Sequence, residues 1–189
     1  MAKRAYHHGD LRRALLVAAV EVIEESGPAA LSLRDLARRA GVSHAAPQHH
    51  FGDKAGLLTV LAAEGFDLLA RELADTRAAT GSFLELGVVY VRFAIAHRAH
   101  FEVMFRPDLY HAGDPDLVAA RGRAGDALYS GVSELPDVGT RRDVREAGLA
   151  GWSLAHGFAT LWLSGALPDL GTNAEEAARP ILRQLNPYA

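Results

Sequence analysis

Nine histidines and no cysteine frame the chemistry open to this 189-residue chain. Disulfides and thiolate metal sites are excluded. His97 and His100 stand three apart on one predicted helix, and with His111 or His156 they have the residue types to share a metal ion. No carboxylate or thiolate companion follows at ligand spacing, so no metal is assigned. Signatures of cofactor and covalent chemistry are missing too: the chain holds no G-x-G-x-x-G, P-loop, G-x-S-x-G or H-E-x-x-H. No catalytic residue and no cofactor are expected, and the chain reads as a non-enzyme. His156 falls one helical turn after Trp152 and reads as a hydrogen-bonded core or interface side chain.

The polar residues with a clearer purpose lie in Ser32–Phe51, SLRDLARRAGVSHAAPQHHF. Ser32 reads as an N-cap, with Asp35 completing an S-x-x-D variant of the capping box. Leu33, Leu36, Ala37 and Ala40 repeat at helical spacing and give the first helix one apolar face. Gly41 suits the left-handed residue that closes a helix without a Cβ penalty. Val42 turns inward, and Ser43 reads as a second N-cap. Helix, short glycine turn and second helix make the plan of a helix-turn-helix, whose second helix enters the major groove of DNA. Phe51-Gly52-Asp53-Lys54 then ends that helix and starts another, with Asp53 as N-cap and Leu57, Leu58 and Leu61 behind it.

This run resembles the DNA-binding domain of the TetR family of transcriptional regulators, on Ser32, Leu36-Ala37, Ala40-Gly41-Val42-Ser43, His50-Phe51, Lys54 and Leu57-Leu58. It departs from the family pattern at Pro47, where Leu or Ile is usual, and at Gln48, where Tyr is usual. Pro47, read as the fourth residue or so of the recognition helix, removes the bond to the Ser43 carbonyl and biases Ala46 away from the helical region. Near the helix start this costs less than a mid-helix proline, and whether the first turn is distorted stays open at this point. Gln48 can contact phosphate or read adenine.

Composition agrees with a soluble, cytoplasmic globular protein: 49% of residues are apolar and 23% charged. The polar start MAKRAYHHGDL lacks the apolar core of a signal peptide. A net charge of −3 argues against a strongly basic nucleic-acid binder. Its distribution is uneven, with eight Lys/Arg against six Asp/Glu in residues 1–60 and twelve against seventeen beyond. A basic head on an acidic body has the sign expected of a DNA binder. Lys3 and Arg4 form a short basic arm ahead of the first helix.

Asp10 is expected to cap that helix, Leu11, Leu15, Ala18, Val22 and Ile23 to form its stripe, and Gly27-Pro28 to end it. A long fourth helix should run from about Asp53 to Thr80. Further helices are expected near 82–97, 98–106, 115–133, 141–165 and 174–186, with no strand. Ala147–Pro168 carries no formal charge, a length that invites a membrane span. Its glycines, hydroxyls and mid-span histidine favour instead a helix buried all round in a bundle. Within it, Trp152-Ser-Leu-Ala-His156-Gly157 resembles the Trp-His-Gly C-terminal domain of one TetR subfamily. That resemblance implies that the last two long helices pair with their twins in a dimer, where Gly148, Gly151 and Gly157 allow close backbone approach.

The expected fold is all-α: an N-terminal three-helix helix-turn-helix domain (residues 1–55, with the start of the linking helix) and a helical effector-binding and dimerisation domain (56–189). The expected function is a ligand-responsive regulator, a repressor binding a pseudo-palindromic DNA operator as a homodimer. Candidate base-edge contacts are His44, Ala45, Gln48 and His49. Candidate phosphate contacts are Ser32, Arg34, Ser43, His50 and Lys54. Tyr90, Phe93, Phe101, Phe105, Trp152 and His156 are candidates for a small-molecule pocket. Two other readings stay open here, an all-α small-molecule carrier or enzyme without sequence-specific DNA binding, and a helical membrane protein.

Overall fold

The computed structural model describes residues 8–132 and 141–185, which contain nine α-helices and no strand. They are α1 (His8–Ser26), α2 (Leu33–Arg39), α3 (Ala46–Phe51), α4 (Lys54–Thr80), α5 (Phe83–Ala96), α6 (Arg98–Met104), α7 (Pro115–Val132), α8 (Arg141–Leu163) and α9 (Ala174–Leu182). The helix order follows the apolar periodicity of the sequence, and the described breaks fall at its glycines and prolines, except that α5 and α6 part at His97. Lys3 and Arg4, the expected break over 135–139 and the expected helix ends at 133 and 186 lie outside the described residues. α1 starts at His8, so Asp10 sits inside its first turn instead of ahead of it.

The chain folds as two compact units. One holds the residues up to Gly65 together with Arg98–Val118; the other holds Phe66–His97 and the residues from Ala119 on. In the first unit α1 packs on α2, α3 and α6. Leu15, Ala19 and Ile23 form its buried stripe, meeting a core to which α2 gives Leu36 and Ala37, and α4 gives Leu57, Leu58 and Leu61. Burying side chains of this size contributes about 1.5–3 kcal/mol each, and that holds such short helices as α2 and α3 in place.

In the second unit α5 packs against both α8 and α9. Phe93 is its fully buried centre. Ser82 caps α5, its hydroxyl accepting from the Glu85 amide at 3.4 Å. A capping-box glutamate would turn back to the cap. Glu85 instead reaches α9, where Arg179 grips its two carboxylate oxygens, the second at 3.0 Å. Asn173 caps α9 by accepting from the amides of Glu175 and Glu176.

α8 departs from the expectation of all-round burial. It ends at Leu163, and Gly165 turns the chain at φ +72°. Ala155, Phe158 and Ala159 are buried, but Leu149 and Leu161 on other faces are 47% and 48% exposed. The helix has one face for its own chain and leaves apolar side chains outside it. Gly151 also serves within the chain, since the Phe83 ring lies against it, whereas nothing approaches the Cβ direction of Gly157. Among the described residues no helix is long and apolar enough to cross a membrane.

The Arg179 guanidinium holds the Glu85 carboxyl below the usual glutamate range. A depressed carboxyl contributes stability that is present above its unfolded pKa and is lost as pH falls through the folded one. Glu85→Gln should therefore lower the urea midpoint relative to wild type at pH 7. That difference should shrink towards pH 3 when the two proteins are titrated side by side.

Candidate nucleic-acid interface

Two helices and the turn between them set the interface. Gly41 stands at φ +66°, and two bonds close α2 behind it: the Val42 amide to the Ala37 carbonyl at 2.9 Å and the Gly41 amide to the Arg38 carbonyl at 3.2 Å. This double closure is the Schellman motif, which needs a left-handed residue at its centre. The start of α2 differs from expectation. Ser32 occupies the N-cap position but makes no side-chain cap bond, and Asp35 instead accepts from Arg38 at 3.2 Å.

The recognition helix is shorter than its sequence suggests. Ser43 does not cap it. The Ser43 carbonyl accepts from the Ala46 amide at 3.0 Å in a turn, and α3 starts only at Ala46. Pro47 is thereby the second helical residue, where the missing N–H is no loss and the fixed φ suits the helix. The first turn is not distorted; it is left out. Pro47 and Phe51, four apart, are the buried residues of α3. Proline thus fills the apolar position at which Leu or Ile was expected. Gln48 and His49 are exposed, as are Ser43, His44 and Ala45 in the turn before them. His50 is half-buried, its ring between those of His49 and Phe51.

The corner from α3 into α4 is held by groups from several segments. Asp53 caps α4 as predicted, accepting from the Gly56 amide at 2.7 Å. That amide, with His111 adding to it, holds the Asp53 carboxyl below the usual range. His111, from the segment after α6, has Nε2 3.3 Å from Asp53, and its amide donates to the Thr59 hydroxyl at 3.0 Å. Lys54 donates to the Ala29 carbonyl at 3.0 Å, and the Arg12 guanidinium lies over the Phe51 ring. Sequence reasoning missed His111, Arg12 and Gly56. Only Gly56 left a signal, being a glycine in the first turn of a helix, where it weakens propensity. The reason is contact: a Cβ there would stand 2.0 Å from the Phe51 carbonyl oxygen.

Charge on this unit is largely matched internally. Arg13 pairs with Glu64 at 3.1 Å, Arg38 with Asp35 at 3.2 Å and Arg39 with Glu25 at 2.9 Å. Arg34 is exposed and makes no ion pair among the described residues. Of the residues singled out as DNA contacts, Ser32, Arg34, Ser43, His44, Ala45, Gln48 and His49 are all exposed, while His50 and Lys54 are half-buried.

The residues singled out for a pocket divide between the units. Tyr90, Trp152 and His156 come together in the second: the Trp152 indole donates to the Tyr90 oxygen at 3.0 Å, and the Tyr90 hydroxyl is 2.9 Å from Nδ1 of His156. Burial pushes the Tyr90 pKa far up and the His156 pKa down, which favours the neutral form of each. Phe93 is core beside His97, with rings 5.0 Å apart. Phe101 and Phe105 belong to the first unit, their rings 5.4 Å apart. The four histidines weighed as metal ligands have scattered: His97 lies 3.4 Å from Glu72, His100 4.0 Å from Glu64, His111 beside Asp53 and His156 beside Tyr90. No group of three or more metal-ligating side chains gathers among the described residues.

An exposed helix seated by its two buried side chains, after a glycine-closed turn, is the geometry of a helix-turn-helix, the motif whose second helix enters the major groove in proteins that read DNA. Residues 15–61 match bacterial regulatory proteins of the tetR family, and residues 83–185 match the tetracyclin repressor-like C-terminal domain. The chain belongs to the TetR family of transcriptional regulators. It is 33% identical over 113 residues to the HTH-type transcriptional regulator BetI of Rhizobium meliloti (strain 1021), a match spanning 58% of this chain and 47% of that one. A solved protein of unknown function from Rhodococcus sp. RHA1 is similar over 97% of each chain, with 35% identity and a TM-score of 0.80. A tetR-family transcriptional regulator from Streptomyces coelicolor shares the fold, with 21% identity, a TM-score of 0.69, and 94% of this chain and 79% of that one covered.

Gly56→Ala should destabilise the protein by about 3 kcal/mol, because the new methyl meets backbone that cannot give way. Chemical denaturation measures the loss. Ala55→Gly, next to it, is expected to cost only about 1 kcal/mol.

Proposed function

We propose that this regulator is a repressor that binds a pseudo-palindromic operator as a homodimer and leaves it when a small molecule binds. In this reading residues 1–55 carry DNA recognition, and residues 56–189 hold the effector and the dimer contact. The uncovered leucines of α8, Leu149 and Leu161, support the dimer, since exposed apolar side chains on a helix are where a second copy can pack. Two heads then place Ser43–His50 in successive major grooves. A DNA-bound regulator works in the cytoplasm, and no catalytic step is assigned to it.

The observation that carries the reading is the orientation of α3, with Pro47 and Phe51 inward and Gln48 and His49 outward. His44, Ala45, Gln48 and His49 face base edges. Ser32, Arg34, Ser43 and His50 set the register on phosphates, with Arg34 favoured by its unmatched charge. Lys54 has a second duty. Its ammonium already holds the Ala29 carbonyl, and donors left over on the same group reach phosphate.

Fluorescence anisotropy against the DNA upstream of the protein's own gene, at two salt concentrations, tests the reading. Tight, sequence-selective binding with two protomers per site is expected. A protein that binds all DNA weakly and loses it with salt would be a small-molecule carrier or enzyme reusing the head for packing. Gln48→Ala should weaken discrimination at one base pair per half-site by about 1–3 kcal/mol. Lys54→Ala should weaken all sequences alike and lower the salt slope by about one unit. An unchanged slope with reduced thermal stability would leave Lys54 as a clasp alone.

A further inference from the structure

The second unit contains a crevice that the sequence did not announce. It is lined by residues of α5, α7, α8 and α9, among them Phe83, Gly87, Tyr90, Gly151, Trp152 and Leu182. Every lining side chain is apolar or aromatic, and none carries a charge. The free space inside is about 20 Å³, little more than a water molecule requires. What closes it is the Phe83 ring, which lies so near Gly151 that a Cβ there would be 2.5 Å from the ring tip. Phe83 is the first residue of α5, directly after the Gly81-Ser82 link from α4, and is only half-buried.

We propose that Phe83 is a plug, and that the effector is an uncharged, ring-sized apolar molecule that takes its place against Gly151. The inference rests on the reading of this unit as effector-binding and names the ligand class for it. Three observations select the class. The lining residues with a polar side-chain atom, Tyr90 and Trp152, carry uncharged groups that are bonded to each other. The charges next in sequence to the lining, Glu85 between Leu84 and Leu86 and Arg179 one turn before Leu182, are bonded together, so each cancels the other. A charged ligand would enter low-dielectric surroundings without a counter-ion, which is costly. Finally, the group that lies against Gly151 is a single aromatic ring, so a ring of that size fits where it is displaced. Because Phe83 follows the link from α4, moving it acts on the chain segment that runs on into the DNA-binding head.

The test uses the full-length protein, with toluene as the uncharged probe and benzoate as its charged counterpart. Phe83→Ala removes the plug, and Phe83→Leu is the milder variant should the first fold poorly. Toluene should bind Phe83→Ala at least ten-fold more tightly than wild type and Phe83→Leu by a smaller margin, raise the Tm of the Ala variant by about 2 °C or more at saturation, and shift the indole N–H resonance of Trp152 but not that of Trp162. Benzoate should do none of these. Saturating toluene should also lower the affinity of the wild-type protein for operator DNA at least five-fold, since there it must displace Phe83. Equal toluene binding by wild type and variants, or benzoate binding as well as toluene, would overturn the plug or the ligand class. Toluene binding without operator release would overturn the effector role of the crevice. Operator affinity without ligand decides the regulator reading separately: a protein that binds operator but never toluene sinks this inference alone.

Discussion

The corner between α3 and α4 is the constraint on which the reading head depends. The chain must end one helix at Phe51 and begin the next at Lys54, with Gly52 at φ +76° and the α4 backbone pressed onto the Phe51 carbonyl. Only a residue without a side chain fits at Gly56, and the Asp53 carboxylate accepts from its amide. Phe51 anchors the corner from below while Arg12 covers its ring. A six-residue helix cannot hold itself together in water. The angle and position of α3 are therefore properties of this corner and of α1, not of α3 itself.

His111 gives that corner a link to residues far along the chain. The segment after α6 returns to the start of α4 and bonds it twice, at Asp53 and at Thr59. The packing unit that contains the head thus includes Arg98–Val118. The DNA-reading elements are not supported by their own short stretch of sequence alone. Exposed ion pairs are weak individually, so the part-buried bond from the His111 amide matters more than its ring.

Much of this was legible in the sequence because it rests on local rules. The helix-turn-helix followed from Gly41 and from the apolar spacing of Leu33, Leu36 and Ala37, and the α4 cap from Asp53. Helix order followed from periodicity. The failures were of two kinds. Ser43 was misread because a local cap signal was overruled by a stronger local rule, the steric demand of Pro47, which moved the helix start to Ala46. Ser32 and Asp35 matched a capping pattern, but Asp35 found a better partner in Arg38. The others were non-local. Nothing in the spacing of Phe83 and Gly151, or of Glu85 and Arg179, reveals that they meet, because each pair is separated by most of a domain. The polar trio of Tyr90, Trp152 and His156 was within reach, since aromatic residues with one polar atom need partners when buried. Which aromatic rings surround them was not.

The matching of arginines to carboxylates within the head has a consequence for how the protein finds its site. Arg13, Arg38 and Arg39 carry their own counter-charges, so the head projects a weaker positive field than its arginine count suggests. Loose attachment to arbitrary DNA depends mainly on that field. If the chain binds DNA as proposed, a weaker field lets it linger less on the wrong stretches of a chromosome, and its residence becomes a matter of fit. Such a protein needs fewer copies per cell to keep a given operator occupied, because fewer of them are held elsewhere.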